Sequence, residues 1–524
     1  MTSTKIKHGA IIAPLIDDPL SAEIELKFLV PPERFNAFKK KFLASKVDVQ
    51  RLQSIYFDTA DERLTKLGAT IRLRKEGKKW VQTAKALTLD TLSRLEHNVD
   101  VTLPRGRRRP EIDLALHSGT PVGIAICAAL SSTLVSGEFS PALVERFRVD
   151  VSRMKRTECV GDACVELALD LGRIYHGQKT TPLCEFEMEL KSGSIGELFK
   201  LATTWQSAFG LWISIVSKAE RGVRLIHNKL AGPPVVAVKP LIDPSGGELE
   251  FFVAILDCCL KQILGNANEA AAGALDEEIV HQLRVGLRRI RSILRELGTF
   301  SQNVDPAWET VFSQISKELG AHRDFATVIP TIRKEMSDAG IDYQWRSKKR
   351  SDNQHPEQLV RDKNFQQTLL AIMAFCHMPI TANKHKKNIT KQLKFGIVKR
   401  LSKLHALLVK DAKRFLLLSP DHQHRVRKRL KRMRYLSEFA GPLFDKKRVR
   451  HYLASWGDAQ DALGQYNDYR MGMDFIEAET RVRQNAEPAL FWLASRLKTC
   501  IKCSAKSLKK AARNPVFWNT LHAK

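Results

Sequence analysis

Nowhere in this chain of 524 residues does an apolar run reach the roughly 18 positions of a membrane-crossing helix, so no span is expected. The first twenty residues hold a short apolar patch broken by Pro14, and no small-residue processing site follows it, which argues against a secretory signal. Cysteine is scattered and odd in number: nine residues suggest no disulfide framework and point to a reducing compartment, the cytoplasm. Cys500 and Cys503 form a lone CxxC without a second pair or nearby histidines, short of a complete zinc site. No GxxxxGK[ST] stretch occurs, so a P-loop nucleotide site is not supported. Aromatic residues are only 7% of the chain, and the basic segments of its second half lack the interleaved rings on which nucleic-acid bases stack.

What is abundant is positive charge, and it is uneven. Residues 1–230 carry 35 Lys and Arg against 27 Asp and Glu, whereas the remainder carries 50 against 30. Such an excess in one half points to a polyanionic partner. The chain is too long for one core and implies two to four domains. A linker is expected over 229–247, where four prolines and three glycines fall within nineteen residues. Before it lie short β-branched or alternating segments at 23–30, 54–58, 69–75, 79–86, 95–103, 146–154, 164–170 and 183–191. Helical patterns at Glu33–Leu43, Pro121–Leu134 and Ile195–Phe209 interrupt them. After it the period is that of helices, with long segments at 249–264, 276–298, 307–319 and 384–417. The first half is therefore α+β around a sheet and the second all-α.

The strands of the first half share one chemistry. Glu23, Glu25 and Lys27 alternate with Ile24, Leu26 and Phe28, so both carboxylates and the ammonium fall on one face of a strand. Arg72 with Arg74, then Lys85, then Arg94 with Glu96, then Glu166 with Asp170, repeat the theme. Glu185, Glu187, Glu189 and Lys191 share a face, and Lys218 with Arg221 close the series. A sheet curled into a barrel, charged within and apolar outside against helices, accommodates this pattern. Such an interior stays ionised only around cations and an anionic ligand. Carboxylates for a hard divalent ion beside several Lys and Arg are the equipment for a polyphosphate.

The second half repeats itself. His281, Arg284, Arg288, Arg289 and Arg291 recur 143 residues later as His424, Arg427, Lys431, Arg432 and Arg434. Leu319-Gly320 with Arg323-Asp324 is echoed by Leu463-Gly464 with Asn467-Asp468. This spacing suggests two stacked helical bundles. At about 100° per residue, His281, Arg284, Arg288 and Arg291 form one cationic stripe, while Arg289 and its counterpart Arg432 point away. The second stripe, with Lys431 for an arginine and Glu438 in the place of Arg295, is expected to be the weaker anion site. Lys384, Lys387, Lys391 and Lys394 continue the positive face, and a polar insertion opens at Trp345 and is expected to last as a loop to about Lys363.

Glu23-Ile-Glu25-Leu-Lys27, Tyr56-Phe-Asp-Thr59, Arg72-Leu-Arg74, Thr83-Ala-Lys85, Glu187-Met-Glu189 and Ser217-Lys218 together resemble the CYTH domain of the triphosphate tunnel metalloenzymes, over about residues 20–228. The paired histidine-led helices resemble the CHAD domain, a duplicated four-helix bundle, over 248–524, with repeats at about 248–378 and 384–524. The tandem order is similar to that of bacterial inorganic triphosphatases. The resemblance implies an antiparallel eight-stranded tunnel that binds triphosphate with Mg²⁺ or Mn²⁺ and hydrolyses it. It assigns metal binding to Glu23, Glu25, Glu187 and Glu189, with Asp170 and Glu166 as helpers. It assigns phosphate binding to Lys27, Arg72, Arg74, Lys85, Arg153 and Lys218, with Glu23, Glu25, Lys27 and Lys85 at the catalytic centre. Arg148 competes with Arg153 for its place. For the basic helices it implies polyphosphate binding by His281, Arg284, Arg288 and Arg291, and by His424, Arg427, Lys431 and Arg434. Three other readings stay open: hydrolysis of thiamine or nucleoside triphosphate, or cyclisation of ATP, in the same tunnel; a non-catalytic polyphosphate binder; and a nucleic-acid binder.

Overall fold

The computed structural model describes residues 22–88, 93–131, 142–243, 246–274, 276–323, 327–343, 355–378, 389–480 and 486–519. They divide into two compact units, one running to Pro233 and taking in Arg361–Ala374, the other comprising Pro234–Val360 and the chain from Phe375.

In the first unit, nine strands and five helices follow one another as β1 (Ala22–Leu29), α1 (Phe35–Phe42), β2 (Asp48–Asp58), α2 (Arg63–Lys66), β3 (Ala69–Glu76), β4 (Lys79–Leu87), β5 (Ser93–Val101), α3 (Pro121–Ser131), β6 (Val144–Val160), β7 (Ala163–His176), β8 (Lys179–Ser192), α4 (Ile195–Phe209), β9 (Trp212–Ile213) and α5 (Lys218–Ile226). The sheet order is β5-β4-β3-β2-β6-β7-β8-β1-β9, and a further β5–β1 pairing closes strands β1–β8 into an antiparallel barrel. Closure removes the free edges that would otherwise recruit other strands. The strands run longer than their alternation suggested: β6 and β7 continue as a hairpin to a turn at Gly161-Asp162.

Alternation sorts the side chains as expected. Outward-facing Phe186, with Phe28 beside it, meets Phe38 and Phe42 of α1 and Trp205 of α4, all buried. Burying each such ring stabilises the fold by about 1.5–3 kcal/mol. On the opposite wall, Ile71, Leu73 and Ala84 pack under Val122, Ile126 and Leu130 of α3. One inward stretch is apolar as well. Leu52, Tyr56, Phe147, Val149 and Val151 face inward, and Ala219 and Val223 of α5 pack onto them. A Cβ at Gly222 would lie 2.3 Å from the Phe147 ring, so only glycine lets α5 seat this deeply. Ser217 caps α5 by accepting from Glu220 N–H, which puts Lys218 on its first turn.

The second unit is all helical: α6 (Glu248–Ala271), α7 (Glu277–Leu297), α8 (Ala307–Arg323), α9 (Ile329–Asp338), α10 (Pro356–Arg361), α11 (Lys363–His377, part of which belongs to the first unit), α12 (Ile389–Lys413), α13 (Pro420–Ala440), α14 (Lys446–Thr480) and α15 (Glu487–Ala512). The last four close a ring, with α12 packed on both α13 and α15. Residues 344–354 of the expected insertion lie outside the described residues, but from Pro356 the chain is helical rather than looped, because Leu359, Val360 and Phe365 are buried. Lys384 and Lys387 also lie outside the described residues. The proline-rich segment has no regular element, yet it is strapped down at Val235. Asn266 of α6 accepts from Val235 N–H (3.1 Å) and donates to its carbonyl (2.8 Å), and Gly265 makes room for its side chain.

Candidate active site

The barrel encloses a cavity of about 990 Å³ whose wall is charged. Strand β1 contributes Glu23, Glu25 and Lys27; β3 Arg72 and Arg74; β4 Lys85; β6 Arg153; β7 Glu166 and Asp170; β8 Glu187 and Glu189; and α5 Lys218. The sequence-derived positions of the first half thus come together on one surface. Arg148 does not join them: its side chain is 62% exposed and pairs with Glu145 at 2.5 Å. Arg153, five residues on and facing the other way, lines the cavity.

Register explains the grouping. Glu25 lies directly opposite Glu189, and Lys27 opposite Glu187, across the β1–β8 pair. Glu166 faces Glu189, and Asp170 faces Glu185, across β7–β8. Cross-strand neighbours have Cβ atoms about 4.5–5.5 Å apart, so carboxylates crowd the β1–β7–β8 side. Arg72 lies opposite Tyr56 on β2 and Thr83 on β4, which gathers guanidinium groups on the other side.

The acidic side contains two kinds of carboxyl. Asp170, Glu185 and Glu187 place oxygen atoms within 4.8 Å of one another. Lys218 Nζ sits among them at 2.9, 2.7 and 2.6 Å. Arg153 reinforces the group, donating to both Asp170 oxygens and to Glu187 at 2.5 Å. Burial alone would raise the Glu187 carboxyl, but Lys218, Arg153 and Lys27 hold it well below the usual range. Asp170 is depressed in the same way by Lys218 and Arg153.

Glu23 and Glu25 are less well compensated. Burial, the hydrogen bond with Glu96 and the Glu25 charge push Glu23 up to about 8 despite Lys85 at 3.0 Å. Burial and the Glu187 charge raise Glu25 despite Lys27 at 3.5 Å. The cationic side has the opposite imbalance. Burial and the like charges of Arg72 and Arg153 lower the proton affinity of Arg74. Arg72 donates from Nη1 to Tyr56 Oη at 3.1 Å, while its buried Nε has no partner. A hard divalent cation suits the all-oxygen donor set around Glu23 and Glu25, and an anion suits the arginines facing it.

Sequence reasoning named Glu96, Glu185 and Arg221 within the charge pattern but gave them no role. Glu96 pairs with Lys85, and Arg221 with Glu185 at 3.1 Å. Tyr56 belongs to the quoted motif, and its hydroxyl turns out to aim Arg72.

In the second unit the two basic stripes converge. Arg284 and Arg288 of α7, with Arg427 of α13, surround Lys431, whose ammonium is driven down to about 6 by burial and by these charges, Asp468 of α14 only partly opposing them. Lys428 of α13 is depressed by burial and by Arg291 and Arg295 of α7. His424 bonds Asn467 of α14 at 3.2 Å, which gives the echoed Asn-Asp pair a structural meaning. The outer members are neutralised: Arg291 donates to Glu309 (2.9 Å) and Ser313 (2.7 Å), and Arg434 lies 3.8 Å from Glu438. Arg289 does point away from the stripe. It is buried, donates to Gln262 and the Val238 carbonyl, and stacks 4.8 Å over the Phe439 ring. Arg432 pairs with Glu296 of α7 at 3.0 Å. The two stripes meet because α7 and α13 pack side by side.

A CYTH domain model matches residues 21–223, and a CHAD domain model matches residues 254–477. An inorganic triphosphatase of Haemophilus influenzae is 28% identical over 208 residues, 39% of this chain and 54% of that protein, so the match spans about half of the relative's length. Among solved structures, the CHAD domain of the plant Ricinus communis is 22% identical, covering 55% of this chain and 99% of that one with a TM-score of 0.43. A Hippeastrum protein, described as an adenylyl cyclase with a dominant triphosphatase activity, is 15% identical over 40% of this chain and 96% of its own, with a TM-score of 0.27. The charged barrel and the all-helical half that follows it are, in this chain, a CYTH domain over residues 21–223 and a CHAD domain over residues 254–477.

Proposed function

We propose that the barrel hydrolyses inorganic triphosphate to pyrophosphate and phosphate with Mg²⁺ or Mn²⁺, and that the basic surface where α7 meets α13 binds inorganic polyphosphate. One observation carries the first reading: burial and neighbouring acids raise Glu23 and Glu25 even with Lys85 and Lys27 beside them, while across the cavity burial and like charge lower Arg74 even with Glu76 beside it. A metal–triphosphate complex would offset both.

Glu23, Glu25 and Glu189 would hold the metal, with Glu187 and Asp170 contributing as Lys218 and Arg153 release them. The bound ion would neutralise phosphoryl oxygens and polarise the attacking water. Arg72, Arg74 and Arg153 would bind the non-bridging oxygens and stabilise the charge that collects on the departing pyrophosphate. Lys85, held between Glu23 and Glu96, and Lys27, held between Glu25 and Glu187, would orient the chain of phosphates. Tyr56 fixes the aim of Arg72. The similarity to an inorganic triphosphatase favours an inorganic substrate over thiamine triphosphate or ATP. The test is phosphate release from triphosphate, ATP and thiamine triphosphate with either metal. No metal-dependent release from any of them would end the enzyme reading.

The polyphosphate reading rests on Lys431, a partly buried ammonium beside Arg284, Arg288 and Arg427, where a polyanion would offset the repulsion. Arg288→Glu should abolish retention on immobilised polyphosphate while triphosphate turnover persists. Displacement of bound polyphosphate by RNA or DNA at equal phosphate concentration would instead favour a nucleic-acid ligand.

A further inference from the structure

Strands β6 and β7 turn through a two-residue loop, Gly161-Asp162, with Val160 paired to Ala163. Gly161 has φ +58°, the left-handed conformation that such tight turns require. Ser194 donates to Asp162 Oδ1 at 3.0 Å, so the tip is also tied to the segment that follows β8. This turn fixes the register, and the register sets Cys159 directly opposite Cys164. Their sulfur atoms are 2.6 Å apart. Directly opposed residues in an antiparallel pair have Cα atoms about 4.5–5.5 Å apart, within the span that a disulfide bridges. Cys159 is exposed to solvent and Cys164 partly so. By strand alternation the pair shares a face with Thr157 and Lys155 on β6 and with Glu166 on β7. Lys155 and Glu166 line the cavity and lie 3.8 Å apart, so the dithiol stands on the cavity-facing side, further along the hairpin toward its tip.

We propose that Cys159 and Cys164 are a redox modification site, closing to an intrachain disulfide when a peroxide is supplied and reopening with a small thiol. One sulfur attacks a peroxide oxygen to give a sulfenic acid and water; the second sulfur displaces the hydroxyl as a further water, forming the S–S bond. Two thiols and one peroxide thus become one disulfide and two waters, the thiols losing two electrons to the peroxide. A thiol reductant returns the pair by exchange. The link staples the two strands that present Lys155 and Glu166 to the cavity.

The test uses the full-length reduced protein, titrated with hydrogen peroxide, quenched with iodoacetamide and cut with trypsin. The peptide Thr157–Arg173 contains both cysteines. It should appear unalkylated and two hydrogens lighter than its reduced form, revert to a doubly alkylated form after dithiothreitol, and do so before the exposed Cys127 loses its reactivity. Cys164→Ser should abolish the two-hydrogen loss and leave Cys159 trapped as a sulfenic acid. Double alkylation persisting after Cys127 has been consumed, or separate oxidation of both sulfurs without a link, would overturn the proposal.

Discussion

Replacing Glu23 with Gln separates the cost of the acidic wall from its use. The carboxyl titrates near 8 in the folded chain, against 4.5 for the ordinary group, because burial, Glu96 and Glu25 disfavour its ionised form. A raised value means that the folded state holds the proton more tightly. The associated stability is complete below the unfolded value and is lost as pH rises through the folded one. At about pH 7 the unfolded carboxyl is ionised and the folded one is not, a handicap of up to about 3 kcal/mol to the metal-free protein. Glutamine keeps the shape and can still donate to Glu96, but has nothing to ionise. In chelator, melts followed by circular dichroism should show the variant more stable than the wild type near neutrality, by roughly 5–10 °C for a unit of this size. The gap should vanish toward about pH 4, where both forms of the site are neutral. Added Mn²⁺ should stabilise the wild type and not the variant, and metal-dependent turnover should fall by about a hundredfold or more. Parallel melting of the two proteins across this pH range in chelator would refute the claim that the wall is under-compensated.

Tyr56→Phe removes the acceptor of Arg72 but keeps the ring stacked on Phe147, so KM for triphosphate should rise about fivefold with little change in melting temperature. Gly222→Ala sets a methyl group against the Phe147 ring and should destabilise the barrel by about 1–3 kcal/mol, with turnover reduced through displacement of Lys218; unchanged melting and kinetics would count against the seating of α5. Lys431 titrates at about 6, below its ordinary value, so the polyanion-free helical unit should gain stability as pH rises from there, while polyphosphate affinity should fall over the same interval. Lys431→Met should flatten both profiles, as read by melting and by calorimetric titration.

Much of this was legible because strand alternation is a strict code. Glu23, Glu25 and Lys27 fall on one side of β1, and the same parity on β3, β7 and β8 defines one charged interior. The choice between Arg148 and Arg153 was open for a physical reason. The inward face of β6 begins with Phe147, Val149 and Val151, which read as an outward face until α5 is seen to cover them from within. Which cation would answer which acid was also hidden: Lys218 reaches Asp170, Glu185 and Glu187 from a helix that sequence places nearly thirty residues beyond β8. In the helical unit each stripe followed from helical spacing. Their meeting at Lys431 depends on packing between elements 143 residues apart, which no local period encodes.

The convergence of α7 and α13 has a consequence that two identical chains could not reach. A symmetric dimer must carry the same residue at both equivalent places, whereas a fused duplicate can let them diverge. Here one copy has Arg288, a guanidinium that is charged at every accessible pH, and the other has Lys431, an ammonium able to shed its proton. The paired positions therefore combine one permanently charged group with one whose charge is conditional on what lies against it.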